Sequence, residues 1–176
     1  MRPVGSTGSG EEYRVGRAHE SPGERLAGTW KRLSPWPGGK WIFSRVVGGI
    51  VPYTGTIGAR FEELRPGYAR IVLRDRRKVR NHLNCVHAVA LVNLGEVTSG
   101  MAMMMGLDSS VRGIVTGLSI EYQKKARGRL VAESRIEVPR IVEPTEQPVV
   151  AEIRDASGDV VSRLTAHWLL TPRGAA

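Results

Sequence analysis

One segment constrains this chain more than any other. Residues 85–107 (CVHAVALVNLGEVTSGMAMMMGL) are almost uncharged, and Glu96 is the only acidic residue between Asp75 and Asp108. With His87, Asn93, Glu96, Thr98 and Ser99 inside it, the stretch is too polar to span a membrane. A helix that is apolar on most of its sides belongs in a protein interior. The remaining chain must therefore wrap around it.

The flanking patterns say how. Ser21-Pro22-Gly23-Glu24 has the form of a capping box with proline at the first helical position, which predicts a short helix through Leu26, Trp30 and Leu33. Residues 34–39 (SPWPGG) break it. Residues 41–51 predict a second short helix, ended by Pro52. From Ile57 the pattern turns to period two, so 57–64 and 68–74 predict a hairpin about Arg65-Pro66-Gly67. Past the central helix, residues 114–122, 129–138, 148–155 and 160–170 predict four more strands. Strands on both sides of a single buried helix predict an α+β fold, a curved antiparallel sheet of about six strands wrapped around it. Residues 1–20, rich in Gly, Ser and charge, read as a flexible tail, and 21–176 as one domain.

Charge narrows the partners. Lys and Arg total 26 against 17 Asp and Glu, for a net +9. That balance favours acidic partners such as nucleic acid, an anionic membrane or a phosphorylated ligand. No recognition helix, zinc site or aromatic RNA-binding motif is visible, so nucleic acid is not expected. The lone Cys85 excludes an intrachain disulfide and a cysteine-cage metal site. No metal is expected, and Cys85 itself reads as a buried, inert thiol. The N-terminal stretch has no apolar run of the secretory kind, so a cytoplasmic protein is expected.

Glu96 is the chemically informative residue. A carboxylate wrapped by a sheet must be paired, protonated or placed at an opening. A raised pKa in a cleft would make it a natural general base, and a wet seam or an arginine partner is the plainer alternative. His87 sits near the expected helix start, where the first N–H groups lack internal partners and can bind an ester or thioester oxygen. A histidine merely capping the helix is the plainer reading there. Nine residues of α-helix separate the two by about 13.5 Å and about 2.5 turns, facing opposite ways. Either they are unrelated, or a two-fold dimer joins one chain's His87 to the other's Glu96.

The run Asn81-His82-Leu83-Asn84-Cys85-Val86-His87-Ala88 followed by Glu96, and later Glu121-Tyr122-Gln123-Lys124-Lys125-Ala126-Arg127-Gly128, resembles the hotdog-fold acyl-CoA thioesterases of the phenylacetate-pathway type, and more closely their uncharacterised bacterial branch. The resemblance implies a hotdog fold with extra N-terminal helices, assembled as a homodimer or homotetramer with active sites at the dimer interface. It implies hydrolysis of acyl-CoA or acyl-carrier thioesters, with coenzyme A as part of the substrate and no separate cofactor. Asn81 would bind the thioester carbonyl or the water, His87 would orient the site, and the Ala88 N–H would stabilise the oxyanion. Glu96 of the other subunit would be general base or nucleophile, and Thr116 would orient the water.

Two departures stand out. The usual Gly-Gly after the histidine is Ala88-Val89 here, and the usual aspartate is Glu96. They motivate two alternatives, a non-catalytic acyl-CoA-binding hotdog protein and a hotdog enoyl-thioester hydratase. Arg77 and Arg80, in the basic run that also holds Arg74, Arg76 and Lys78, and the group Lys124, Lys125 and Arg127 could hold coenzyme A phosphates or form a solvated surface. Met101, Met103, Met104 and Met105 read as core packing before an acyl tunnel, and Trp36 and Trp41 as packing of the N-terminal helices before a lid.

Overall fold

A computed structural model describes residues 21–173. The expected N-terminal tail lies outside the described residues.

Helix α1 (Pro22–Leu33) starts at the capping box. Ser21 Oγ accepts from the Glu24 N–H at 3.2 Å, and Glu24 Oε2 accepts from the Ser21 N–H at 2.7 Å. Helix α2 (Gly39–Ile50) follows a left-handed Gly38, with φ of 78°. Its buried face carries Phe43, Ser44 and Val47. Trp30, Phe43 and Phe61 stack edge to face, with centroids 5.0 and 5.3 Å apart, and tie α1 and α2 to the sheet.

Helix α2 ends at Ile50, just before Pro52, as the sequence predicts, but Pro52 also opens a helix that the sequence analysis did not expect. It occupies the first turn of that helix, α3 (Pro52–Ile57), where its missing N–H costs nothing. The expected strand from Ile57 starts later, at Arg60, because Ile57 closes α3 and Gly58 turns the chain with φ of 60°.

The sheet contains β1 (Arg60–Arg65), β2 (Tyr68–Arg74), β3 (Val111–Tyr122), β4 (Arg129–Arg135), β5 (Thr145–Arg154) and β6 (Val160–Pro172). Their order is β1-β2-β4-β5-β6-β3, with every pairing antiparallel. Helix α4 (Ala88–Met104) lies against β2, β4, β5 and β6. Leu94, Ala102 and Met103 of α4 are fully buried, as are Ile71, Leu130, Ile153 and Leu164 of the sheet. The expected hotdog arrangement, a curved antiparallel sheet around a central helix with additional helices ahead of it, is the observed one.

Close approach depends on small residues in α4. A Cβ at Gly95 would lie 2.7 Å from Leu164 Cβ, and one at Gly100 would lie 3.1 Å from the Trp168 ring. No helix among the described residues is long and apolar enough to cross a membrane.

One buried polar contact joins the helical layer to the sheet. Ser44 Oγ donates to the Lys40 carbonyl at 2.7 Å and accepts from the buried Phe61 N–H at 3.0 Å. Ser44→Ala strands that N–H, so chemical denaturation should show a loss of about 1–3 kcal/mol with an unchanged m-value.

Candidate functional site

The site forms where a basic loop meets the first turn of α4. The loop from Val79 to His87 is held down at both ends. The His87 N–H donates to the Val79 carbonyl at 2.8 Å, the Val86 N–H to the Ala126 carbonyl at 2.9 Å, and the Asn81 N–H to the Cys85 carbonyl at 2.9 Å. Asn81 Oδ1 accepts from the N–H groups of Leu83 (3.0 Å) and Cys85 (3.3 Å). With that oxygen engaged, Asn81 offers Nδ2–H to a ligand, which suits a carbonyl oxygen.

His87 is the N-cap of α4. Its Nδ1 accepts from the Val89 N–H at 3.1 Å. That bond places the proton of the neutral imidazole on Nε2. His87 is thus a helix cap, and the cap holds its ring so that Nε2–H is presented in one direction. Ala88 begins the helix, so its N–H has no acceptor within the helix. Tyr122 Oη donates to the Ala88 carbonyl at 3.3 Å and braces this turn from the end of β3. Sequence reasoning gave Tyr122 no role of its own.

A cavity of about 330 Å³ opens beside this turn, lined by Asn81, Cys85, Ala88, Tyr122, Lys124 and Lys125 among others. The structure thus brings Asn81, Ala88, Lys124 and Lys125 together. His87 and Arg80 face a second cavity of about 220 Å³, shared with Tyr53, Lys78, Val89 and Asn93. Asn93 is a residue that sequence reasoning left unassigned. It is 6% exposed, its Nδ2 donates to the Tyr53 carbonyl at 3.1 Å, and its Oδ1 has no partner among the described residues. A buried amide one turn before Glu96 was the available signal.

Glu96 stands apart from both groups within the chain. It is half-buried on α4, and among the described residues its carboxylate has neither an ion-pair nor a hydrogen-bond partner. Burial pushes its pKa above the usual glutamate range, with no neighbouring cation to pull it back. Ala88, Val89, Val92 and Glu96 lie along one stripe of α4 that the sheet leaves partly uncovered. Thr116 is mid-strand rather than at a strand start. It sits at the register shift between Val115 and Gly117, and its Oγ1 donates to the His167 carbonyl at 3.2 Å.

The basic residues divide. Arg80 Nε donates to Asp75 Oδ1 at 2.6 Å, and the Lys124 ammonium sits 2.7 Å from Asp155 and 2.6 Å from Asp159. The Arg80 guanidinium and the Gly128 N–H hold Asp75 below the usual carboxylate range. Arg77, Lys125 and Arg127 have no carboxylate partner among the described residues. Arg127 Nε donates instead to the Asn84 carbonyl at 3.4 Å. Cys85 and Met103 are buried, whereas Trp36 and Trp41 are 71% and 54% exposed, not packed as expected. No cluster of three His, Cys, Asp or Glu side chains that could hold a metal ion occurs among the described residues.

Residues 39–170 match the family described as a domain of unknown function, DUF4442. No curated protein matches the chain. Among solved structures, the genomics protein APC5556 is 26% identical, with a TM-score of 0.74 over 84% of this chain and 99% of its own. PA5026 of Pseudomonas aeruginosa, named a "probable thioesterase" of unknown function, is 24% identical with a TM-score of 0.67, covering 73% of this chain and 93% of its own. The thioesterase SAV0944 of Staphylococcus aureus is 15% identical with a TM-score of 0.61, covering 69% of this chain and 99% of its own. At such identities the last two likenesses concern the fold. The sheet wrapped on α4 and the match over most of the sequence agree: the chain belongs to the DUF4442 family and has the hotdog fold.

Proposed function

We propose that this chain hydrolyses acyl thioesters, acyl-CoA or acyl-carrier, at sites completed by a second copy of itself. The observation that carries the reading is a carboxylate of raised pKa, without a partner among the described residues, on the same helix whose first residue, Ala88, lines a cavity. Thioesterases of the same fold support it.

Water attacks the thioester carbonyl carbon while Glu96 of the partner subunit takes its proton. The carbonyl electron pair moves onto oxygen, where the Ala88 N–H and Asn81 Nδ2–H stabilise the oxyanion. Collapse re-forms the carbonyl and expels the thiolate, which recovers the proton from Glu96. The products are a carboxylic acid and a thiol. His87 and Thr116 position the ester and the water. Lys125, which lines the cavity, and Arg77 and Arg127 are the cations left to meet carrier phosphates, since Arg80 and Lys124 are engaged by carboxylates.

The second copy has a physical place to attach. Strand β3 is an edge strand, with one side of its backbone unpaired, and residues 113–120 carry no charge. Ile114, Leu118 and Tyr122 are 59%, 44% and 49% exposed on it. The other edge, β1, is short and carries Arg60, Glu62, Glu63 and Arg65. Charges and shortness discourage edge pairing at β1, whereas β3 is long and confines its charges, Arg112 and Glu121, to its two ends.

Four measurements test this. Across an acyl-CoA panel, Glu96→Gln should lower kcat/KM by at least about 100-fold with acyl-CoA binding retained. Equal rates in both proteins would remove Glu96 from the mechanism, and tight binding with no turnover by wild type would select the non-catalytic reading.

Glu96 must be ionised to act, so kcat/KM should fall as pH drops through its raised pKa, above the ordinary glutamate range. Stability moves the other way. A carboxyl whose folded pKa exceeds its unfolded one stabilises below the unfolded value and loses that contribution as pH rises through the folded one. Glu96→Gln should therefore raise Tm at neutral pH and leave it unchanged in acid. Finally, wild type should sediment as a dimer or larger species, and Ile114→Lys with Leu118→Lys should yield an inactive monomer of unchanged circular dichroism.

A further inference from the structure

Among the described residues some arginines are paired with carboxylates and others, Arg77 and Arg127 among them, are not. Arg65, Arg70, Arg80, Arg129, Arg154 and Arg163 each sit within 3.4 Å of a carboxylate. Arg45, Arg60, Arg74 and Arg76 have no acidic partner among the described residues, and all four line one cavity of about 420 Å³. No Asp or Glu lines that cavity. It lies between α2, α3 and the adjoining ends of β1 and β2, and it shares no residue with the cavity beside Asn81 and Ala88.

We propose that this four-arginine cavity is a binding site for a small phosphate-bearing ligand. Its volume falls within the usual range for small-ligand pockets, about 300–1,000 Å³. Guanidinium groups offer paired N–H donors in a fork that matches phosphate oxygens, and they stay charged throughout the accessible pH range. Four arginines around one cavity with no acid among its lining residues make it a place that favours an anion.

The cavity is built rather than a chance gathering of long side chains. Arg76 is fixed, because its Nη2 donates to the Ile57 carbonyl at 2.7 Å while its other N–H groups remain for a ligand. Gly58, left-handed with φ of 60°, is the residue over which this guanidinium passes, and a Cβ there would collide with it. Gly55 packs on Gly48 so closely that a Cβ would strike the Gly48 carbonyl, which holds α3 against α2. Buried Ser44, Thr54, Ala59 and Phe61 supply the remaining wall. Trp41, 54% exposed, lines the rim and gives a flat apolar surface next to the cations. A concave, glycine-walled pocket suits a small molecule better than a nucleic acid backbone, which needs an extended basic track.

The test is titration calorimetry on the full chain with inorganic pyrophosphate, then ADP, then coenzyme A. Pyrophosphate should bind at one site per chain. Arg45→Gln with Arg60→Gln should weaken it by at least about tenfold, two charge-assisted contacts being lost. Lys31→Gln with Arg32→Gln, the same charge change on α1, should alter it less than about twofold. Both variants change exposed side chains and should keep the wild-type Tm. ADP or coenzyme A binding more tightly than pyrophosphate, with the advantage lost in Trp41→Ala, identifies a nucleotide as the phosphate source. Absence of pyrophosphate binding at millimolar concentration overturns the proposal, and so does equal weakening by the two double variants. Binding of a single-stranded oligonucleotide in place of pyrophosphate also overturns it. Since binding is read without turnover, failure here leaves thioester hydrolysis standing, and failure of hydrolysis leaves this site standing.

Discussion

The sheet can close on α4 because the helix is nearly bare where the two meet. Gly95 admits Leu164 and Gly100 admits the Trp168 ring, at distances that a methyl group would forbid. Interiors pack at crystal-like density, so such gaps are filled by neighbours rather than left open. The result is a helix stripped of water over most of its circumference. That desolvation raises the pKa of Glu96 and strands one oxygen of Asn93. A longer side chain at Gly95 would let water back and relax both. Packing therefore sets the acid–base character of the helix, with no charged neighbour required.

The first turn of the same helix is fixed by a different set of contacts. His87 caps it, Tyr122 binds the Ala88 carbonyl, and Asn81 folds the preceding loop back on itself. Each bond removes a motion that would otherwise have to be frozen on ligand binding. On the proposed reading, a donor held in place beforehand would stabilise a developing oxyanion without reorganising. Rigidity at the helix start and desolvation at its middle are separate properties, and one continuous apolar segment provides both.

Much of this was legible in order of residues. The apolar run 85–107 with one acid announced a wrapped helix, and Ser21 with Glu24 announced the start of α1. Pro52 misled only in part: it ends α2 as expected, but it also opens α3, because proline fits the first turn of a helix as well as it stops one. Trp36 and Trp41 misled in the other direction, since large aromatic rings usually pack and these two remain exposed. The Asn81, His87 and Glu96 spacing identified candidate groups. It could not reveal that Asn81 Oδ1 is already occupied or that Lys124 lies between two carboxylates. Arg45 and Arg60 carried no local signal at all. They meet Arg74 and Arg76 only after α2 folds onto the hairpin, a long-range event with no trace in any short window of sequence.

The bare edge of β3 has a consequence for the protein's fate during folding. A long, uncharged run with unsatisfied backbone groups is a template for indiscriminate strand addition. Wherever nothing covers it, that rail is open to whatever extended chain is nearby, so aggregation would compete with folding more strongly as concentration rises during refolding.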